Sequence, residues 1–85
     1  MLGTDFPVGD YYTEHIIDGE TIARGGGWWT AVLLLQDPKD GGNIVALYRW
    51  QSVGGEWKAR KQIKFRKPEQ VATLADILVR FRERL

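Results

Sequence analysis

Residues 28–36 read Trp-Trp-Thr-Ala-Val-Leu-Leu-Leu-Gln, and hardly a side chain among them favours water. Successive side chains of a strand point to opposite faces, so this run needs apolar cover on both sides. A central strand of a sheet meets that need. Gly25-Gly26-Gly27 precedes it and Asp37-Pro38-Lys39-Asp40-Gly41-Gly42 follows it. The second segment is turn chemistry throughout. The glycine triplet lacks the Lys-Ser/Thr of a phosphate loop and no helical pattern follows it, so it is read as a flexible corner.

The remaining segments array themselves around this strand. Asn43 to Gln51 alternates, with Ile44, Ala46, Tyr48 and Trp50 on one face. Val45, Leu47, Arg49 and Gln51 fall on the other. Gly54-Gly55 marks a hairpin loop, and Trp57 to Arg66 forms the next strand. Upstream, Asp18-Gly19 separates two β-capable runs and suits a type I′ turn, which predicts a hairpin over residues 11–24. Residues 1–10 carry little pattern and are read as a loose lead-in. Pro68 opens a helix, with Glu69 at its positive end. Val71, Leu74, Leu78, Phe81 and Leu85 recur at helical spacing, widened by Ala75 and Ile77. Arg80, Arg82 and Arg84 suit the negative end of the helix dipole. The expected architecture is one α+β domain of 85 residues, with a three-strand core over 28–66 and a helix over 68–85.

A net charge of +1 conceals a separation along the chain. Residues 1–40 hold seven acids and two bases, whereas residues 49–67 hold seven bases and one acid. Alternation places Lys58, Arg60, Gln62, Lys64 and Arg66 on one face of the last strand, opposite Trp57, Ala59, Lys61, Ile63 and Phe65. Same-face neighbours lie roughly 6.5–7 Å apart, so such a cationic ladder repels itself. Solubility would be served better by mixed signs, and the ladder therefore points to an anionic partner.

Several chemistries are poorly served. With no cysteine and the single histidine His15, the usual transition-metal sites cannot be assembled. Ser52 is the sole serine and lies in a glycine-flanked loop without a nucleophile elbow. Neither an enzyme nor a bound cofactor or metal is expected. No stretch approaches 18 apolar residues, and no signal-peptide pattern opens the chain, so a cytoplasmic protein away from membranes is expected.

Four tryptophans in 85 residues exceed what a small core requires. Trp28 and Trp29 are consecutive and cannot both face the core. Aromatic rings beside cations on a sheet suit unpaired nucleic acid, whose bases stack on rings while cations follow the phosphates.

The runs Ile44-Val-Ala-Leu-Tyr-Arg-Trp-Gln51, Gly55-Glu-Trp-Lys-Ala-Arg-Lys-Gln-Ile-Lys-Phe65 and Pro68-Glu-Gln-Val-Ala-Thr-Leu74 resemble the single-stranded-DNA-binding transcriptional coactivator domain of the positive cofactor four type. The resemblance covers about residues 28–85. It implies a curved antiparallel sheet of four or more strands and a C-terminal helix through which two copies dimerise, with Leu74, Leu78 and Phe81 at the interface. Lys58, Arg60 and Lys61 match the family's backbone-contacting positions, and Trp57 sits beside them. Ala59, Gln62, Lys64 and Val71 depart from the pattern, Val71 replacing the family's helix tryptophan. Whirly-type and purine-rich-element-binding domains share the strands-then-helix layout.

The expected function is therefore a homodimeric, non-catalytic module for single-stranded DNA or RNA, serving transcription or nucleoid regulation. Lys58, Arg60, Lys64 and Arg66 would neutralise phosphates, with Arg49 and Lys61 beside them. Trp50, Trp57 and one of Trp28 or Trp29 would stack bases. The alternative is a dimeric protein-interaction module of the same fold, in which the acidic N-terminal part pairs with the basic strand.

Overall fold

A computed structural model describes residues 6–8 and 15–85. Among the described residues four strands form one open antiparallel sheet in the order β1 (Ile16–Gly25), β2 (Trp28–Gln36), β3 (Asn43–Val53), β4 (Glu56–Phe65). A helix, α1 (Pro68–Arg82), follows. The fold is thus α+β, and the run of apolar residues at 28–36 is a central strand as its composition predicts. No helix among the described residues is long and apolar enough to cross a membrane.

Two hairpins rest on glycine pairs. Gly26 and Gly27 have φ of 60° and 82°, and Gly54 and Gly55 have φ of 61° and 83°. Type I′ turns need positive φ at both central residues, and their twist matches that of the flanking strands. The glycine triplet is therefore a tight hairpin turn and not a flexible corner. Conversely, Asp18-Gly19 is no turn: it lies inside β1, which runs unbroken from Ile16 to Gly25. Gly19 faces Leu33, and a Cβ there would sit 2.5 Å from the Phe6 ring and 2.8 Å from Leu33. Close packing, not backbone conformation, requires this glycine. Residues 11–14 of the expected hairpin lie outside the described residues.

Directly paired residues of an antiparallel sheet share a face, so the register sorts every side chain. The inner face carries Trp29, Ala31, Leu33, Leu35, Ile44, Ala46, Tyr48 and Trp50, all buried. Phe6 and Val8 pack onto it, so this part of the expected loose lead-in is seated on the core. Ring centroids lie 4.9 Å apart for Trp29 and Trp50 and 5.3 Å apart for Tyr48 and Trp50. The indole N–H of Trp50 donates to the Pro7 carbonyl at 3.0 Å, and that of Trp29 to the Thr21 hydroxyl at 3.0 Å. These bonds let large polar-tipped rings be buried without an unsatisfied donor.

Three β-bulges interrupt the pairing. Ile17 and Ile22 are the extra residues of β1, and Arg60 is the extra residue of β4. An extra residue resets the alternation beyond it. Trp57 and Ala59 oppose Ser52 and Trp50 and share the inner face with Trp50. Beyond the bulge, Gln62 and Lys64 oppose inner-face Tyr48 and Ala46, while Lys61, Ile63 and Phe65 turn outward. The cationic ladder read from simple alternation is therefore broken, and Lys61 joins Lys58 on the outer face.

The helix does not cover the core. It has no buried residue, and Val71, Leu74 and Ile77 are only half-buried. Pro68 begins it, as the sequence predicts. Its attachment is fixed by the β2–β3 turn: Asp37 accepts the Lys39 N–H at 2.8 Å and pairs with the Arg66 guanidinium at 3.0 Å. The backbone N–H of Lys39, and then Arg66, hold the Asp37 carboxyl below its ordinary value against the opposing effect of desolvation.

Candidate nucleic-acid interface

The outer face is a grid of four cross-strand rows. Asp18, Leu34, Val45 and Phe65 form the row nearest the helix, and Glu20, Val32, Leu47 and Ile63 form the next. Ala23, Thr30, Arg49 and Lys61 follow, and Gly25, Trp28, Gln51 and Lys58 end the sheet at the glycine hairpins. Apolar rows thus give way to a basic, aromatic corner.

That corner contains Trp28, Arg49, Lys58, Arg60 and Lys61. The Arg49 guanidinium lies 4.1 Å from the centroid of the half-buried Trp28 ring. Arg60 donates to the Gln51 side-chain oxygen at 3.0 Å, which draws the bulge residue toward the same corner. Lys58 pairs loosely with Glu56 at 3.6 Å, both side chains exposed. Arg49 and Lys61 are directly opposed cations, an arrangement that is unfavourable unless an anion lies between them. Four cations and one ring within two rows can hold phosphates while a base stacks on the indole or on the guanidinium plane.

The structure distributes the remaining expected site residues elsewhere. Trp50 has 0% of its surface exposed and cannot meet a base. Trp57 lies at the margin of the inner face, edge-on to Trp29 at 5.5 Å and 5.3 Å from the Arg24 guanidinium. It is separated from Arg49, Lys58 and Lys61 by the sheet itself. Lys64 stands on the inner side opposite Ala46. Arg66 is engaged by Asp37. Of the two adjacent tryptophans, Trp29 is the core ring and Trp28 the outward one. Alternation shows that one must face out, but only the register shows which. Among the described residues, no group of three or more His, Asp or Glu could hold a metal ion.

Comparison with family models, with curated proteins and with solved structures finds no match to the chain.

Proposed function

We propose that the chain is a non-catalytic module that binds single-stranded nucleic acid on the glycine-hairpin end of its outer sheet face. The observation that carries this reading is the opposed pair Arg49 and Lys61, set beside Lys58, Arg60 and the Arg49-capped ring of Trp28. Unpaired strands suit the corner because an open sheet face offers a ring to a splayed base, which a duplex does not present. Kinship with the coactivator domain it resembles is part of the proposal and rests on residues 44–74. Binding through the backbone and one ring implies little sequence preference.

Tryptophan emission during titration with oligothymidylate, at low and then moderate salt, tests the reading. Saturable quenching is expected, with log K falling against log salt at a slope of about −3 for four neutralised phosphates. Trp28→Ala should weaken binding about tenfold or more, the worth of one base–ring stack. Trp57→Ala should leave affinity unchanged. Absence of quenching at low salt, or equal affinity for a duplex of the same length, would refute the proposal.

A further inference from the structure

At its helix end, away from the cationic corner, the outer face opens into a groove of about 420 Å³. Leu34, Val45 and Phe65 of the sheet form its floor, and Val71 of the helix forms its wall. All four are half-buried, yet the helix has no buried residue. The groove therefore exists because α1 stands off the sheet instead of closing on it. Its departure is fixed two residues before Pro68, where the buried Asp37 holds the Arg66 guanidinium at 3.0 Å. A groove anchored in this way is formed before any ligand arrives, and its size falls within the roughly 300–1,000 Å³ of small-molecule sites. A second hollow of about 150 Å³ continues from Leu34 and Val45 to Asp18 and Glu20 on β1. From β4 to β1 is three strand spacings, about 14 Å.

Polar side chains are confined to the two ends of this track. Asn43, Arg66 and Lys67 border the helix end. Arg66 is neutralised by Asp37, whereas Lys67 has no acidic partner among the described residues. The helix end thus carries one net positive charge. At the β1 end, Asp18 and Glu20 are carboxylates without a cationic partner among the described residues.

Each feature selects a part of the ligand. A lining without polar side chains between its ends suits a hydrocarbon chain, which loses nothing by leaving water. One uncompensated cation matches a singly charged head, a carboxylate and not a phosphate dianion. Two carboxylates at the far end repel a second anion, so the ligand is charged at one end only and lies in one direction.

We propose that this groove binds an aliphatic monocarboxylate of the fatty-acid kind. The head lies on Lys67 and the Asn43 amide, and the tail runs over Leu34 and Val45 towards β1. Trp28 and Lys58 lie three rows away, so the site stands independently of the nucleic-acid reading.

Calorimetric titration of the full chain with decanoate, kept below its micelle concentration, tests the site. One molecule per chain is expected, with a Kd on the order of 100 µM, as suits a small ligand held mainly by apolar contact. Ala72→Trp fills the groove from an exposed helix position and should abolish binding with unchanged circular dichroism. Lys67→Glu should weaken decanoate about tenfold and leave decanol within about twofold, whereas Lys67→Arg should match the parent. Decanedioate should bind at least tenfold more weakly than decanoate, and Glu20→Lys should bring the two within about threefold. Binding unsaturated at about 2 mM, or several decanoates per chain, would overturn the proposal. So would undiminished binding by Ala72→Trp, equal losses of decanoate and decanol in Lys67→Glu, or an unaltered decanedioate ratio in Glu20→Lys. A chain that ignores free decanoate but sediments with phosphatidylglycerol vesicles would overturn it in favour of a membrane contact. One that ignores decanoate and sediments at twice its own mass would give the groove to a second copy instead.

Discussion

Gly19 and Asp37 show how single residues set the scaffold for unlike reasons. Gly19 leaves space for the Phe6 ring against Leu33, so Gly19→Ala should lower unfolding free energy by roughly 1–3 kcal/mol, the usual cost of overpacking, read from urea denaturation. Trp50→Ala should cost about 3–5 kcal/mol, whereas Trp28→Ala should cost far less, because only the first ring lies wholly within the core. Asp37 titrates below its ordinary value of 3.8 in the folded chain. The stability it contributes is therefore complete above that value and is lost as pH falls through the lower folded value. Urea midpoints between pH 2 and 6 should fall on acidification below about pH 4, and Asp37→Asn should flatten that fall. An unchanged pH profile in the variant would remove Asp37 from the account.

At the scale of elements, the bulge in β4 decides what the basic strand displays. Without the extra residue Arg60, Lys61 would still oppose Arg49 and Ala59 would still oppose Trp50. Deleting Arg60 should therefore preserve the fold, with stability within about 1 kcal/mol of the parent because the ladder becomes continuous. The salt slope for oligothymidylate should drop from about −3 to about −2, as one cation is lost. An unfolded deletion variant, by circular dichroism, would show that the register of β4 depends on Arg60 itself. The helix is a second case in which placement outweighs pattern. Its apolar residues recur at helical spacing, yet the inner face already has Phe6 and Val8 on it, and the helix lies beyond the Arg66–Asp37 pair with none of its residues buried.

For the whole molecule, the sheet divides its labour by face and by end. The inner face buries aromatic and aliphatic side chains, the helix end of the outer face is apolar, and the hairpin end is cationic. A carboxylate seated at the apolar end binds the folded chain alone, so the thermal midpoint should rise with decanoate concentration. A midpoint that stays constant or falls would mean that the groove does not hold it.

Much of this was legible in the residues. The apolar run at 28–36, the alternation of Ile44, Ala46, Tyr48 and Trp50, the glycine pair at 54–55 and Pro68 each carry their own local signal, because backbone preference and period are properties of neighbouring residues. The β4 ladder was misread for an equally physical reason. A bulge exchanges the two faces of a strand without changing any local preference, and its one trace in the sequence is Lys61 placed among Trp57, Ile63 and Phe65. Gly19 carries a turn's signature because glycine serves both left-handed backbone and close packing, and only the position of Phe6 separates the two. The sequence by itself thus determined the strands and the helix from Trp28 onward, and that one of the adjacent Trp28 and Trp29 must face outward. The tertiary structure alone decided which of them meet, because cross-strand register and bulges are set by packing between segments far apart in the chain.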